Sequence, residues 1–150
     1  MYIFDGAMGT MLQAAGLEEG YCPELFNVEK PEVVKNIHAQ YLQHGSDVIT
    51  TNTFGACGLK LEDYDLQDRV REINIAAVKV AKEAIAEVKP SARVAGSMGP
   101  TGRFLQPLGN MSFDSIYDTY REQADALIEG GVDFIIIETI IDVQIGRAHV

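Results

Sequence analysis

The chain has 150 residues, 47% of them hydrophobic, the size and apolar fraction of one ordinary globular domain with a sizeable core. Its 12 Lys and Arg against 22 Asp and Glu leave a net charge of -10, which repels phosphate backbones and leaves no basic patch, so neither nucleic acid nor anionic lipid is an expected partner. No apolar run approaches the roughly 20 residues that cross a bilayer, and the N-terminus shows no basic segment followed by a long apolar one, so no membrane association and a cytoplasmic location are expected.

In chain order, the first predicted strand is "YIF", directly before Asp5. A long loop follows, "GLEEGYCPELFN". Pro31 then opens "PEVVKNIHAQYLQHG", where Val33, Val34, Ile37, Tyr41 and Leu42 share a helical face and Gly45 stands at the stop position. The segment "SDVITTNT" (46–53) predicts the second strand. Apolar residues at helical spacing run from Leu66 to Val88, with Pro90 as terminator, and "ARVAGS" (92–97) predicts the third strand. After the loop "PTGRFLQPLGNM", "SFDSIYDTYREQADALIEGG" predicts a third helix, with Ser112 or Asp114 as cap and Gly130-Gly131 as its end. "VDFIIIET" (132–139) is the fourth strand.

These strands are nearly continuous in apolar and β-branched residues, as parallel strands covered on both faces must be. The resulting βαβαβαβ order suits an open doubly wound sheet or a (β/α)8 barrel. With strand starts about 40 to 46 residues apart, eight strands would need more than about 300 residues, so the barrel reading makes this chain half a domain. Both long loops leave the C-terminal ends of strands, where α/β folds place their sites.

Three glycine-bearing turns follow strands: "DGAMGT" (5–10), "NTFGACG" (52–58) and "GSMGPTG" (96–102). Glycine allows backbone N–H groups close to a ligand, yet none of these turns fits a Walker or dinucleotide pattern. The polar residues there carry more: Asp5, Thr51, Asn52, Thr53, Ser97 and Glu138 all sit at strand ends and can converge. Asp5 and Glu138 could hold a substrate ammonium or a metal, or act as an acid/base pair; Asp5 alone could equally accept N–H groups of its own turn. Glu138 follows four apolar residues, where an unpartnered carboxylate is costly. Cys22 and Cys57 form no CxxC pair and are expected as free thiols. His38 and His44, six apart on one helix, do not share a face for a metal and are expected as surface or satisfied packing residues.

Taken together, "FDGAMGT", "KPEVVKNIHAQYLQHGSDVITTNTFGA", "VAGSMGPTG" and "EGGVDFIIIET" resemble the successive strand-end motifs of the homocysteine methyltransferase domain family, most closely the N-terminal module of the cobalamin-dependent methionine synthases, over residues 3–144. The resemblance implies an α/β fold that is the N-terminal half, about four βα units, of a (β/α)8 TIM barrel. It implies homocysteine as substrate, with Asp5 and Glu138 on the ammonium and backbone N–H groups near Gly6, together with Thr51 or Thr53, on the carboxylate. It further implies a zinc ion held by three cysteines that turns the substrate thiol into the thiolate nucleophile. The methyl group would come from methylcobalamin on a separate module, with cobalamin- and folate-binding modules of a parent enzyme as partners. The family's zinc cysteines lie in the second half of the barrel, one after a later strand and two in a "GGCCG"-like turn; Cys22 and Cys57 match neither, so no metal ligand is expected among these residues and the fragment alone is expected to be inactive. Betaine- and S-methylmethionine-type homocysteine methyltransferases share these turns, and a non-catalytic α/β module binding a small amino acid or sulfur metabolite is the reading from a different class.

The partial barrel domain is expected over residues 1–144, and "IGRAHV" (145–150) is expected to be a non-native tail. The family pattern after "ETIIDVQ" is an amphipathic helix rich in alanine, leucine and lysine. The six residues are instead what ATC GGA AGA GCA CAC GTC encodes, the start of a common short-read sequencing adapter whose preceding AG completes a CAG codon for Gln144. As a native tail, Arg147 and His149 would suit a helix C-terminus.

Overall fold

The computed structural model describes residues 1–140 and 142–147. Helix α1 (Met8–Ala14) follows the first glycine turn, α2 (Phe26–Glu29) ends the first long loop, and α3 (Pro31–Gln43) begins at its proline. Strand β1 (Val48–Thr50) leads through α4 (Gly58–Leu61) to α5 (Val70–Val88); β2 (Arg93–Met98) leads to α6 (Phe113–Gly130), β3 (Phe134–Ile137) and α7 (Val143–Arg147).

The strands form one parallel sheet in the order β1-β2-β3, with Val48 opposite Arg93 and Ala95 opposite Phe134. The first predicted strand, "YIF", is corrected. "YIF" contributes only a bridge, Phe4 to Val48, although Ile3 O accepts from Asp47 N at 2.7 Å and Asp5 N donates to Val48 O at 3.0 Å. The ladder stops there because the chain turns at Gly6 into α1 and leaves too few residues to extend it. Strands β1 and β3 are shorter than their predicted runs, because the terminal residues of each run leave the ladder for the strand-end loops, whereas β2 keeps 6 residues.

The helix boundaries follow local chemistry. Gly45 follows α3 with φ at 107°, a conformation that a Cβ would strain. The segment predicted from Leu66 starts instead with a 3₁₀ turn, Gln67–Arg69, before α5. Of the two candidate caps of α6, Ser112 is the one used: its hydroxyl accepts from Ser115 N at 3.1 Å, while Asp114 lies in the first turn.

Side chains alternate along the strands, so Ile49, Val94 and Met98 enter a core with Val78, Ala81 and Ala84 of α5 and Ile116, Tyr120 and Leu127 of α6. Helices thus cover one face. The other face carries Phe4 and Phe134, in edge contact at 6.1 Å and still 44% and 37% exposed. A second core joins Leu12, Phe26, Val34, Ile37 and Val80. His38 lies on that inner stripe of α3, fully buried, and neither ring nitrogen has a hydrogen-bond partner among the described residues. The expectation of a surface or satisfied histidine is therefore corrected, because one histidine interrupts an otherwise apolar face. His44 is exposed, with Nδ1 2.7 Å from Gln40 O. Ile145 packs into the main core; His149 and its neighbours in the expected tail, 148–150, lie outside the described residues.

Candidate functional site

The parallel register brings the C-terminal ends of all three strands to one edge of the sheet, and the turn after Asp5 joins them. A cleft of about 280 Å³ opens there, lined by the turn Gly6–Gly9, by Pro23 and Glu24 from the first long loop, by Thr50, Thr51, Asn52 and Phe54 after β1, and by Ser97 and Glu138.

Asp5 is tied to the strand beside it: Oδ2 accepts from Thr50 N and Oδ1 from Thr50 Oγ1, both at 2.9 Å. Removal from water outweighs these bonds, and with the nearby charge of Glu138 adding to it, the carboxyl is pushed up to about 6. Glu138 is half-buried, and its Oε1 accepts from Ser97 Oγ at 2.6 Å. Thr139 follows it with φ at 60°, a left-handed conformation that a β-branched residue seldom adopts, where the chain leaves the sheet.

Gly6 has a steric reason to be glycine: a Cβ there would stand 3.0 Å from the ring and hydroxyl of Tyr41, whose hydroxyl donates to Ala7 O at 2.9 Å. Thr51 lines the cleft, whereas Thr53 is fully buried behind it. Thr53 Oγ1 donates to Ser97 O at 2.7 Å, so the proton between the two threonine hydroxyls, 2.6 Å apart, comes from Thr51. Thr51 Oγ1 in turn accepts from Ser97 N at 3.1 Å.

Two contributors were not singled out from sequence. Thr50, not its neighbours, holds Asp5. Glu24 reaches the cleft wall from the long loop, where Oε1 accepts from Gly55 N at 2.7 Å and Oε2 from the Cys22 thiol at 3.3 Å. A carboxylate wedged into "CPELFN" between proline and two large apolar residues was the signal that could have found it. Asn27 Nδ2 donates to Asn52 O at 2.7 Å, and Asn52 Nδ2 to Pro23 O at 2.8 Å, which locks this loop onto the strand end.

The lining therefore includes Glu24 and Glu138, has Asp5 next to it, and contains no lysine, arginine or histidine among the described residues. Such a site favours a cationic group. It does not suit zinc: burial pushes the Cys22 thiol up to about 12 and the Cys57 thiol up to about 11, where neither offers a thiolate, and no three His, Cys, Asp or Glu residues cluster as a metal site among the described residues.

A family model described as homocysteine S-methyltransferase matches residues 2–150. The methionine synthase of Mycobacterium tuberculosis is 41% identical over 145 residues, and that of Mycobacterium leprae 38% identical over 145; each alignment covers 90% of this chain and 12% of the relative. The chain thus spans about an eighth of the length of these curated relatives. Among solved structures, the oxidized form of the homocysteine methyltransferase MmuM from Escherichia coli superposes with a TM-score of 0.82 at 25% identity, over 99% of this chain and 56% of that one. Its metallated form gives the same score and identity, over 98% and 57%. The fold is accordingly the N-terminal half of a (β/α)8 barrel.

Proposed function

Because the chain belongs to the homocysteine S-methyltransferase family, we propose that its cleft is the amino-acid-binding half of a methyl-transfer site whose substrate is homocysteine. One observation carries the reading: Glu138 lines, and Asp5 lies beside, a cleft that has no basic side chain among the described residues. A substrate ammonium between them answers both carboxylates. It restores to Asp5 the counter-charge that burial denies it and meets the Glu138 oxygen left free by Ser97. Backbone N–H groups at Gly6 take the substrate carboxylate; Thr51, whose hydroxyl proton goes to Thr53, forms part of the cleft wall rather than a donor to it. Met8 and Phe54 flank the methylene chain and leave the sulfur on the open side of the cleft.

This chain holds the amino acid; no donor set for zinc is present among its described residues, and activation of the thiol is proposed for other residues of the longer protein. Methylcobalamin is the methyl donor proposed for the longer protein, with cobalamin- and folate-binding modules as its partners. The methionine synthases at 38% and 41% identity support this choice over betaine- or S-methylmethionine-type donors more than the 25% likeness to MmuM opposes it. Alone, the chain is proposed to bind without turnover.

NMR titration of the reduced chain with L-homocysteine tests the reading. Glu138→Gln should weaken homocysteine at least about tenfold, below the full 3 to 5 kcal/mol of a broken buried pair because Glu138 keeps contact with water. Near-normal affinity in that variant would contradict the assignment.

A further inference from the structure

Helix α6 turns Ile116, Thr119, Tyr120, Gln123, Ala126 and Leu127 into the protein, and three of these are polar where its periodicity calls for apolar residues. Each of the three bonds to a different stretch of backbone beyond the strand ends: α4, the loop after β2 and the loop after β1. Thr119 Oγ1 accepts from Leu59 N at 3.2 Å, and Tyr120 Oη from Thr101 N at 3.1 Å. Gln123 Nε2 donates to Thr53 O at 2.8 Å and lies 3.4 Å from both Ser97 O and Asn74 Oδ1. Asn74, fully buried on α5, fixes the same loop from behind, donating from Nδ2 to Ala56 O at 2.9 Å and Val70 O at 2.8 Å.

Gln123 is fully buried, and its Oε1 has no partner among the described residues. Reversing the amide would turn that oxygen toward the carbonyl oxygens of Thr53 and Ser97, so the surroundings dictate which end is the donor and leave the acceptor orphaned. Packing alone would be met as well by leucine or methionine, with no orphan. The amide does something those cannot: it ties together the first residues beyond β1 and the last turn of β2. Ser97, gripped at its carbonyl by Gln123 and Thr53 and at its N–H by Thr51, is the residue whose hydroxyl reaches Glu138.

We propose that Gln123 is a positioning residue for the amino-acid site: by holding Thr53 O and Ser97 O on one amide, it sets the spacing of two strand ends and the aim of the Ser97 hydroxyl at Glu138. The inference rests on the reading of the cleft given above, so the test separates the two. The reduced chain is titrated by NMR with L-homocysteine and with 4-mercaptobutyrate, which lacks the α-ammonium, and the ratio of the two dissociation constants is the readout. The wild-type chain should prefer homocysteine. Gln123→Met keeps length and volume but removes the donor, and should narrow the preference about tenfold, the worth of one hydrogen bond to a charged group, with 4-mercaptobutyrate affinity unchanged. A merely structural role would reduce the folded fraction and weaken both compounds alike. Should circular dichroism show Gln123→Met unfolded, Gln123→Glu, of the same shape and with one donor when its buried carboxyl is protonated, should narrow the preference about threefold. An unchanged preference in the folded variant overturns the inference and leaves the reading of the cleft standing. A wild-type chain that binds both compounds equally overturns that reading and the inference with it.

Discussion

Asp5 accepts two hydrogen bonds from Thr50, yet burial, with the charge of Glu138 adding to it, pushes its carboxyl up from 3.8 to about 6. The folded chain therefore keeps a proton that the unfolded chain releases, and the stability this contributes is full below 3.8 and lost as pH rises to about 6. Homocysteine needs the ionised form, so binding should weaken as pH falls through that value. His38 behaves oppositely. Burial lowers its ring from 6.5 to about 4, so the stability of the neutral form is present above 6.5 and lost as pH falls toward 4. With the ring fully buried and without a hydrogen-bond partner among the described residues, this loss amounts to about 3 kcal/mol. Urea unfolding of His38→Leu should then fall between pH 6.5 and 4 by about 3 kcal/mol less than the parent chain, whereas Asp5→Asn should gain stability at pH 7 and lose homocysteine. Parallel pH curves for His38→Leu and the parent would refute the account of His38.

At the level of elements, α6 packs tightly against Val78 of α5 at Gly130, the last residue of α6. A Cβ there would stand 2.9 Å from Val78 Cβ and 3.0 Å from Cγ2. Alanine improves helix propensity by about 1 kcal/mol in mid-helix and less at a terminus, while overpacking costs about 1 to 3 kcal/mol. Valine is stiff at χ1 and cannot swing aside, so the clash wins. Gly130→Ala should destabilise by about 1 to 2 kcal/mol in urea unfolding with an unchanged m-value, and equal or greater stability would show that the two helices separate without loss.

For the whole molecule, the parallel sheet has an unequal finish. Phe4 and its neighbours protect one side of β1, whereas β3 pairs only with β2 among the described residues. On that edge strand Phe134 and Ile137 remain 37% and 43% exposed, and Phe4, whose ring meets Phe134, 44%, in segments that read as fully buried. An unpaired edge flanked by apolar surface is a template for further pairing. Light scattering behind size exclusion at micromolar concentration should therefore find dimers or larger species. A monodisperse monomer that melts sharply would argue against association through this edge.

Apolar periodicity placed the three main helices within a few residues, and glycine, proline and serine marked their ends, because those signals act over one turn of chain. The strand-end motifs likewise carried the family, the barrel and the two carboxylates, since each motif is local. Strand extent was not legible: "YIF" has strand composition, but a ladder needs length and a second edge, which neighbours supply. Nor could sequence choose among Thr50, Thr51 and Thr53, because only the tertiary structure decides which hydroxyl meets Asp5 and which ones turn inward to Ser97. Glu24 and Gln123 were hidden for the same reason. Each shows in the sequence only as a polar residue where an apolar one is expected, and their roles arise from contacts with residues 31 and 70 positions away, where desolvation and hydrogen-bond geometry, set by packing alone, decide what a side chain does.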